Sequence, residues 1–205
     1  MKILNLYAGI GGNRKLWGDE HDIVAVESEQ YIADVYKELY PKDTVIVADA
    51  HQYLLDHYRE FDFIWSSPPC PSHSRMRTSL VKSKPVYPDM QLWQEIIFLK
   101  QFFKGKWIVE NVVPYYKPFL EPTDILERHM IWGNYPINGI KFERSYKGGV
   151  TDQSKETLAA AYGINLPPTT KNQRKLLRNA VLPELGLHLL NEAINKIKRE
   201  LDHDK

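Results

Sequence analysis

One cysteine, Cys70, is all the thiol that 205 residues carry. It cannot build an internal disulfide framework or a multi-thiolate zinc site, so a free thiol in a reducing compartment is expected, with no bound metal. Long apolar runs are missing too. No stretch reaches the roughly 18 residues that cross a bilayer, and the opening Met1-Lys2-Ile3-Leu4-Asn5-Leu6 is far too short for a secretory leader. The expectation is a cytoplasmic protein with no membrane partner. An excess of either charge is also lacking, because 27 basic residues meet 26 acidic ones for a formal net charge of +1. Overall electrostatics therefore does not hold this chain to nucleic acid, although a local basic face still could.

Two local clusters exist. Between Pro68 and Asp89 the only charged residues are Arg75, Arg77, Lys82 and Lys84; between Thr157 and Glu184 they are Lys171, Arg174, Lys175 and Arg178. Each alone is ordinarily a solvated face. With 43% apolar residues and no internal repeat, residues 1–205 are expected to form one domain.

Short apolar runs alternate with helical patterns through the first half, the signature of βαβ units feeding a parallel sheet. Strands are predicted at Lys2–Leu6, Asp22–Val26, Thr44–Val47, Phe61–Trp65 and Trp107–Glu110, with a later one at His129–Trp132. Helices are predicted from about Glu29 to Leu39, capped by Ser28, then over Ala50–Tyr58, Met90–Phe103 and Pro183–Leu201. Ser66–Asp89, rich in Pro, Ser and basic residues, reads as a long surface loop. The fold class implied is a doubly wound, mostly parallel α/β sheet with ligand loops at the strand C-termini.

The residues at those C-termini carry the chemistry. The first strand runs into Tyr7-Ala8-Gly9-Ile10-Gly11-Gly12, where glycines permit a sharp turn and close approach of a nucleotide-like ligand. Arg14 takes the third-glycine place of the dinucleotide fingerprint, so a plain tight turn remains an alternative. Glu27 ends the second strand and Asp49 follows the third, placed for ribose hydroxyls and an adenine amino group respectively. Either could instead cap a helix. Cys70, between prolines in a basic loop, has the setting of an accessible thiol whose ionised form is favoured by nearby cations; a buried small hydrophobe is the alternative. His73 is a possible base for it. Glu110 ends the fifth strand on the same edge, and partial desolvation would raise its pKa and let it donate to a ring nitrogen.

Together these residues resemble the cytosine-5 DNA methyltransferase family, as a small, phage-like member. Asn5 to Gly12 resembles its cofactor motif, Pro68-Pro69-Cys70 with Ser74 its nucleophile motif, Glu110-Asn111-Val112 its acid motif, and Arg178-Asn179-Ala180-Val181-Leu182-Pro183 its C-terminal motif. The resemblance implies the S-adenosylmethionine-dependent methyltransferase fold, that molecule as methyl donor, and a cytosine of DNA flipped into the pocket. It implies donor contacts from Tyr7, Ala8, Gly9, Gly11, Gly12, Glu27, Asp49, Pro69, Asn179 and Val181. Catalysis would fall to Cys70 and Glu110, with Arg128 on the pocket side. Ser74, Arg75, Arg77, Lys82 and Lys84 would meet nucleic acid.

Departures accompany it. Pro71 stands where the family has Gln, Asn5 where it has Asp, and Arg178 where it has Gly. The stretch 134–170 is much too short for a separate target-recognition domain, since even one DNA-reading module buries on the order of 600–1,000 Å². Two alternatives stay open: an RNA substrate of the tRNA type, for which no aromatic single-strand platform stands out in the sequence, and a non-catalytic subunit needing a partner chain for target recognition.

Overall fold

The computed structural model describes residues 1–75, 87–143 and 145–203. Its centre is a seven-stranded sheet of β1 (Lys2–Leu6), β2 (Asp22–Glu27), β3 (Thr44–Val47), β4 (Phe63–Ser66), β5 (Lys106–Val112), β6 (Asp124–Leu126) and β7 (His129–Gly133). The spatial order is β3-β2-β1-β4-β5-β7-β6. β1 to β5 pair in parallel, whereas β7 runs antiparallel to both β5 and β6. Parallel pairing puts the C-terminal ends of the first five strands on one edge; the residues singled out for chemistry in residues 7–110 follow or end one of them, except Glu110, which lies inside β5 one residue past its last parallel pair with β4.

Both faces of the central strands are covered, which is why these strands read as continuous apolar runs. Leu4, Leu6, Val24, Val26, Ile64 and Val109 pack beneath α2 (Ala50–His57) and α3 (Gln91–Phe102) through Leu54, Leu92, Ile96 and Leu99. On the other face Ile3, Ile23, Phe63, Trp65, Ile108 and Ile131 meet α6 (Pro183–His203) through Leu185, Leu189, Leu190 and Ala193. Helix α1 (Gln30–Leu39) sets Tyr36 and, just beyond its end, Tyr40 against Ala25 and Ala8.

Sequence and structure differ locally. Ser28 does not cap α1; Glu29 holds the N-cap position, and the preceding carboxylate of Glu27 accepts its amide at 3.0 Å. β4 begins two residues later than expected because Tyr58–Glu60 tightens into a 3₁₀ turn after α2. Three elements escaped the pattern reading: β6, α4 (Lys155–Tyr162) and α5 (Gln173–Asn179). Much of the stretch 134–170 belongs to the main body. Tyr135 donates its hydroxyl to the Leu189 carbonyl on α6 at 2.8 Å. Val150, Leu158, Tyr162 and Ile164 form a core with Ile10, Val35, Leu177 and Ala180. Among the described residues no helix is long and apolar enough to cross a membrane.

Candidate active site

The chain leaves β1 through a turn in which Tyr7, Gly9 and Gly11 all take left-handed backbone conformations, with φ of 54°, 55° and 71°. The glycines serve different ends. A Cβ on Gly9 would meet nothing within 4 Å, so the backbone there borders open space. At Gly11 it would strike the rings of Tyr40 and Tyr36, and at Gly12 the carbonyl of Val181 at 2.4 Å. Only the first glycine therefore leaves room for a ligand; the other two let α1 and the C-terminal motif close on the turn.

Arg14, the residue in the third-glycine place, is 3% exposed and turned inward. Its guanidinium grips Asp43 with two bonds of 2.8 and 2.9 Å, and Tyr36 donates to the same carboxylate. Tyr40 stacks beneath that guanidinium and donates its hydroxyl to the Gly11 carbonyl. This cluster fixes the turn from behind. Asp43→Ala would leave the buried Arg14 charge with only the exposed Asp19 carboxylate at 3.4 Å, and the expected loss of stability is about 3 kcal/mol, read as a lower midpoint in urea.

Glu27 stands at the open side of the turn. Oε2 accepts the Gly9 amide at 3.0 Å and Oε1 the Glu29 amide, which leaves acceptor capacity on Oε2. Asp49 is exposed and caps α2 through Gln52 N at 2.7 Å. Ala8 is buried, its amide bonded to the Val26 carbonyl. Space beside Gly9, a fixed carboxylate at the end of β2 and a second after β3 fit an adenosine moiety. From the far side, Val181 is buried behind Gly12 and Asn179 is exposed at the end of α5.

A buried network under the turn went unnoticed in the sequence. Glu95, fully buried on α3, accepts from the Tyr7 hydroxyl at 2.6 Å and from Ser66 Oγ at 2.6 Å, and its Oε1 lies 3.0 Å from His51 Nδ1. It anchors Tyr7, whose positive φ is unfavourable for a side-chain-bearing residue. Burial and the Glu95 carboxylate push the Tyr7 hydroxyl far above its ordinary pKa, so it stays a donor. The signal was present: Glu95 interrupts the apolar face made by Leu92, Ile96 and Leu99.

The thiol and the acid belong to neighbouring strands, Cys70 in the loop after β4 and Glu110 within β5, which does not end at Glu110 as its apolar run suggests but continues to Val112 by pairing with β7. Pro68 is buried and its carbonyl accepts from Asn111 Nδ2 at 2.9 Å, tying the loop after β4 to β5; Pro69 is exposed and Cys70 half-buried. Glu110 is buried, with Oε2 accepting from Ser67 Oγ at 2.9 Å and Oε1 lying 3.5 Å from His129 Nε2. Trp65 Nε1 donates to Ser67 Oγ at 2.7 Å and fixes that hydroxyl in turn. Burial lifts the Glu110 carboxyl to about 7, against smaller opposing effects from the Ser67 bond and the Arg128 charge. Ser67, Trp65 and His129 were not anticipated as partners.

The sequence reading expected nearby cations to favour the thiolate. The balance is the reverse: burial, then the Glu110 charge, push the Cys70 thiol up, while Arg128 and Arg178 pull it down by less. The thiol therefore lies within electrostatic reach of Glu110, Arg128 and Arg178. Arg128 also donates to the Arg178 carbonyl at 3.3 Å, joining the two arginine segments. His73 does not look like a base. It is 1% exposed, its Nδ1 lies 2.5 Å from the Tyr116 hydroxyl, and burial lowers its pKa.

Ser74 bridges to Pro114, and exposed Arg75 donates Nε to the Pro114 carbonyl at 3.2 Å. Arg77, Lys82 and Lys84 lie outside the described residues. Beside this bridge Tyr115 meets Tyr116 edge-to-face and Tyr116 meets Phe119 at a tilt, with Tyr115 and Phe119 exposed, an aromatic surface that the sequence did not reveal. Among the described residues no group of three or more His, Cys, Asp or Glu could hold a metal ion.

The family model for C-5 cytosine-specific DNA methylase matches residues 1–117, the span holding the glycine turn, both carboxylates, the thiol and the acid. The chain belongs to this family. Its members draw the methyl group from S-adenosylmethionine, and the fold is that of methyltransferases dependent on this donor. The Entamoeba histolytica methyltransferase EhMeth shares the architecture over 96% of this chain and 98% of its own, with a TM-score of 0.62 at 9% identity. DNMT2 of Spodoptera frugiperda is 28% identical over 54% of this chain, with a TM-score of 0.39. That match takes in 35% of DNMT2, so the chain spans about a third of it. An S-adenosylmethionine-dependent methyltransferase of Agrobacterium tumefaciens matches 57% of this chain and 40% of its own at 14% identity, with a TM-score of 0.42. No curated protein sequence matches the chain.

Proposed function

We propose that this protein transfers a methyl group from S-adenosylmethionine to carbon 5 of cytosine in DNA through a covalent adduct at Cys70. Residues 1–205 act in this reading as one catalytic domain with a much shortened target-recognition stretch in 134–170. The observation that carries it is the convergence of one thiol and one proton-retaining carboxyl, Cys70 in the loop after β4 and Glu110 within β5, one residue past its last parallel pair with β4.

Carbon 5 of neutral cytosine is a poor nucleophile, and addition elsewhere on the ring divides one hard step into easier ones. Cys70 Sγ, once deprotonated, bonds to carbon 6. Protonated Glu110 donates to ring nitrogen 3, so the electron pair displaced from the 5,6 double bond is not left as a free anion. Arg128 steadies the charge that passes between them. Carbon 5 is thereby made nucleophilic, and the bound donor supplies an electrophilic methyl group. Loss of the carbon 5 proton then re-forms the double bond and expels Cys70 as thiolate.

The donor would lie along Tyr7, Ala8 and Gly9, with Glu27 toward the ribose and Asp49 toward the adenine. Pro69, Asn179 and Val181 would close the pocket, and Gly11 and Gly12 contribute by holding the turn in shape. Glu27→Gln weakens the charge-assisted bonds to Gly9 and the ribose. Each is worth about 1.5–3 kcal/mol, so donor affinity is expected to fall roughly 10- to 100-fold in calorimetric titration while Cys70 still reacts with a thiol reagent.

Ser74, Arg75, Arg77, Lys82 and Lys84 would approach the nucleic acid. The exposed rings of Tyr115 and Phe119 beside Arg75 favour a second reading with an unstacked, single-stranded substrate, RNA included. Labelled-donor assays on duplex DNA, single-stranded DNA and RNA separate these. Methylation of DNA is expected. Transfer to RNA alone makes the second reading the right one, and no transfer to any of the three, with the donor bound, points to a subunit that needs a partner chain.

A further inference from the structure

Helices α4 and α5 border a cavity of about 520 Å³. Its walls carry Lys155, Arg174, Lys175 and Arg178, and no carboxylate lies among its lining residues. The floor includes Thr170, which is 7% exposed and whose Oγ1 has no hydrogen-bond partner. A buried hydroxyl left unpaired costs free energy unless something binds there. Four cations and an idle donor around one hollow are the chemistry of an anion site.

The cations are not equivalent. Arg174 is committed to the backbone, donating to the carbonyls of Thr151 and Gln153 and so pinning the turn before α4. Lys155 lies 3.5 Å from Gln173 Oε1 and 3.8 Å from the exposed Glu156, loose contacts at the rim. Lys175 is exposed. Arg178 lines the cavity, its carbonyl accepts from Arg128 at 3.3 Å, and the residue after Arg128, His129, reaches Glu110 at 3.5 Å, so the hollow lies on the side of the acid and the thiol. In the family motif the position of Arg178 is a glycine.

We propose that this cavity grips the phosphodiester backbone of the substrate strand beside the target cytosine, with Thr170, Lys155, Lys175 and Arg178 as its donors. The inference rests on the proposed function. It gives a chain with little room for a target-recognition domain a hold on its substrate that reads phosphate rather than sequence. Sequence preference should be correspondingly relaxed.

Fluorescence anisotropy of the full chain with labelled oligonucleotides, over a series of salt concentrations, tests it. The probes are duplex DNA, single-stranded DNA, RNA, and a duplex without cytosine. Each released phosphate contact removes about 0.9 from the slope of log affinity on log salt for duplex, and about 0.7 for single strands. The double variant Lys155→Gln, Lys175→Gln is expected to flatten that slope by about 1.8 for the duplex probes, the cytosine-free duplex included, and by about 1.4 for the single strands. Thr170→Val, which removes a neutral donor, is expected to weaken binding about tenfold at every salt concentration with the slope unchanged, while Thr170→Ser keeps wild-type affinity. Unaltered slopes in the double variant, or a Thr170→Val protein that binds like wild type, overturn the proposal. Methyl transfer by the wild-type protein keeps the two readings apart: transfer with unaltered slopes removes this inference alone, and absence of transfer to any nucleic acid removes the function it rests on.

Discussion

Glu110→Gln is expected to make the protein more stable at pH 8 and nearly inactive. Burial raises the Glu110 carboxyl from its ordinary 4.5 to about 7, so the folded state holds this proton more tightly than the unfolded chain does. The associated stability is fully present below pH 4.5 and is lost as pH rises through 7. At pH 8 the wild-type fold carries an ionised buried carboxylate at a cost on the order of 3 kcal/mol. Gln keeps the shape, can still accept from Ser67, and never ionises. Since 1 kcal/mol moves Tm by roughly 2–4 °C in a domain of this size, the variant should melt several degrees above wild type at pH 8 and alongside it near pH 4.5.

Activity should move the other way. A positioned acid contributes typically 10²–10⁴-fold, and that factor is the expected loss in kcat/KM for Glu110→Gln. The pH profile carries the sign. Glu110 titrates below Cys70, so between about 7 and the raised pKa of the thiol the pair holds one proton. Moving that proton from sulfur to carboxylate produces both the nucleophile and the acid. The wild-type rate should therefore fall below pH 7, where the pair holds two protons, and again above the thiol pKa, where it holds none. In the variant the acid limb near 7 disappears and the residual rate simply climbs with pH. A wild-type profile with no limb near 7 contradicts this assignment of Glu110.

The larger effect belongs to Cys70. Cys70→Ala removes the atom that activates the ring, and transfer should drop on the order of 10⁴-fold or more with donor affinity within about twofold of wild type. A cytosine analogue with fluorine at carbon 5 has no proton there to lose. Methylation of it stalls with the enzyme attached, and intact mass spectrometry should find protein plus oligonucleotide plus one methyl group for wild type and nothing for the variant. Full activity in Cys70→Ala eliminates the adduct mechanism.

How legible all this was depends on what fixes each element. β1, β2, β4 and β5 could be read because strands buried on both faces are largely apolar, and the ligand residues because parallel strands deliver their ends to one edge. β6 is three residues long and α5 seven; such pieces owe their form to neighbours rather than to their own periodicity. Ser28 does not cap because its hydroxyl turns back and donates to the Glu27 carboxylate at 3.3 Å instead of accepting from the first turn. The direction of the Cys70 shift was unreadable for a like reason. Cations close in sequence suggested a favoured thiolate, whereas burial and a carboxylate brought in from β5 decide it.

The glycine turn has one further implication, and it concerns timing during synthesis. Gly12 lies against the backbone of Val181, and Gly186 on α6 fits so tightly on Asn13 that a Cβ would come within 2.2 Å of its carbonyl oxygen. A ribosome that has already delivered the turn, the thiol and the acid has therefore still not delivered their backstop. The pocket should stay slack in a nascent chain and set only after α6 emerges from the exit tunnel.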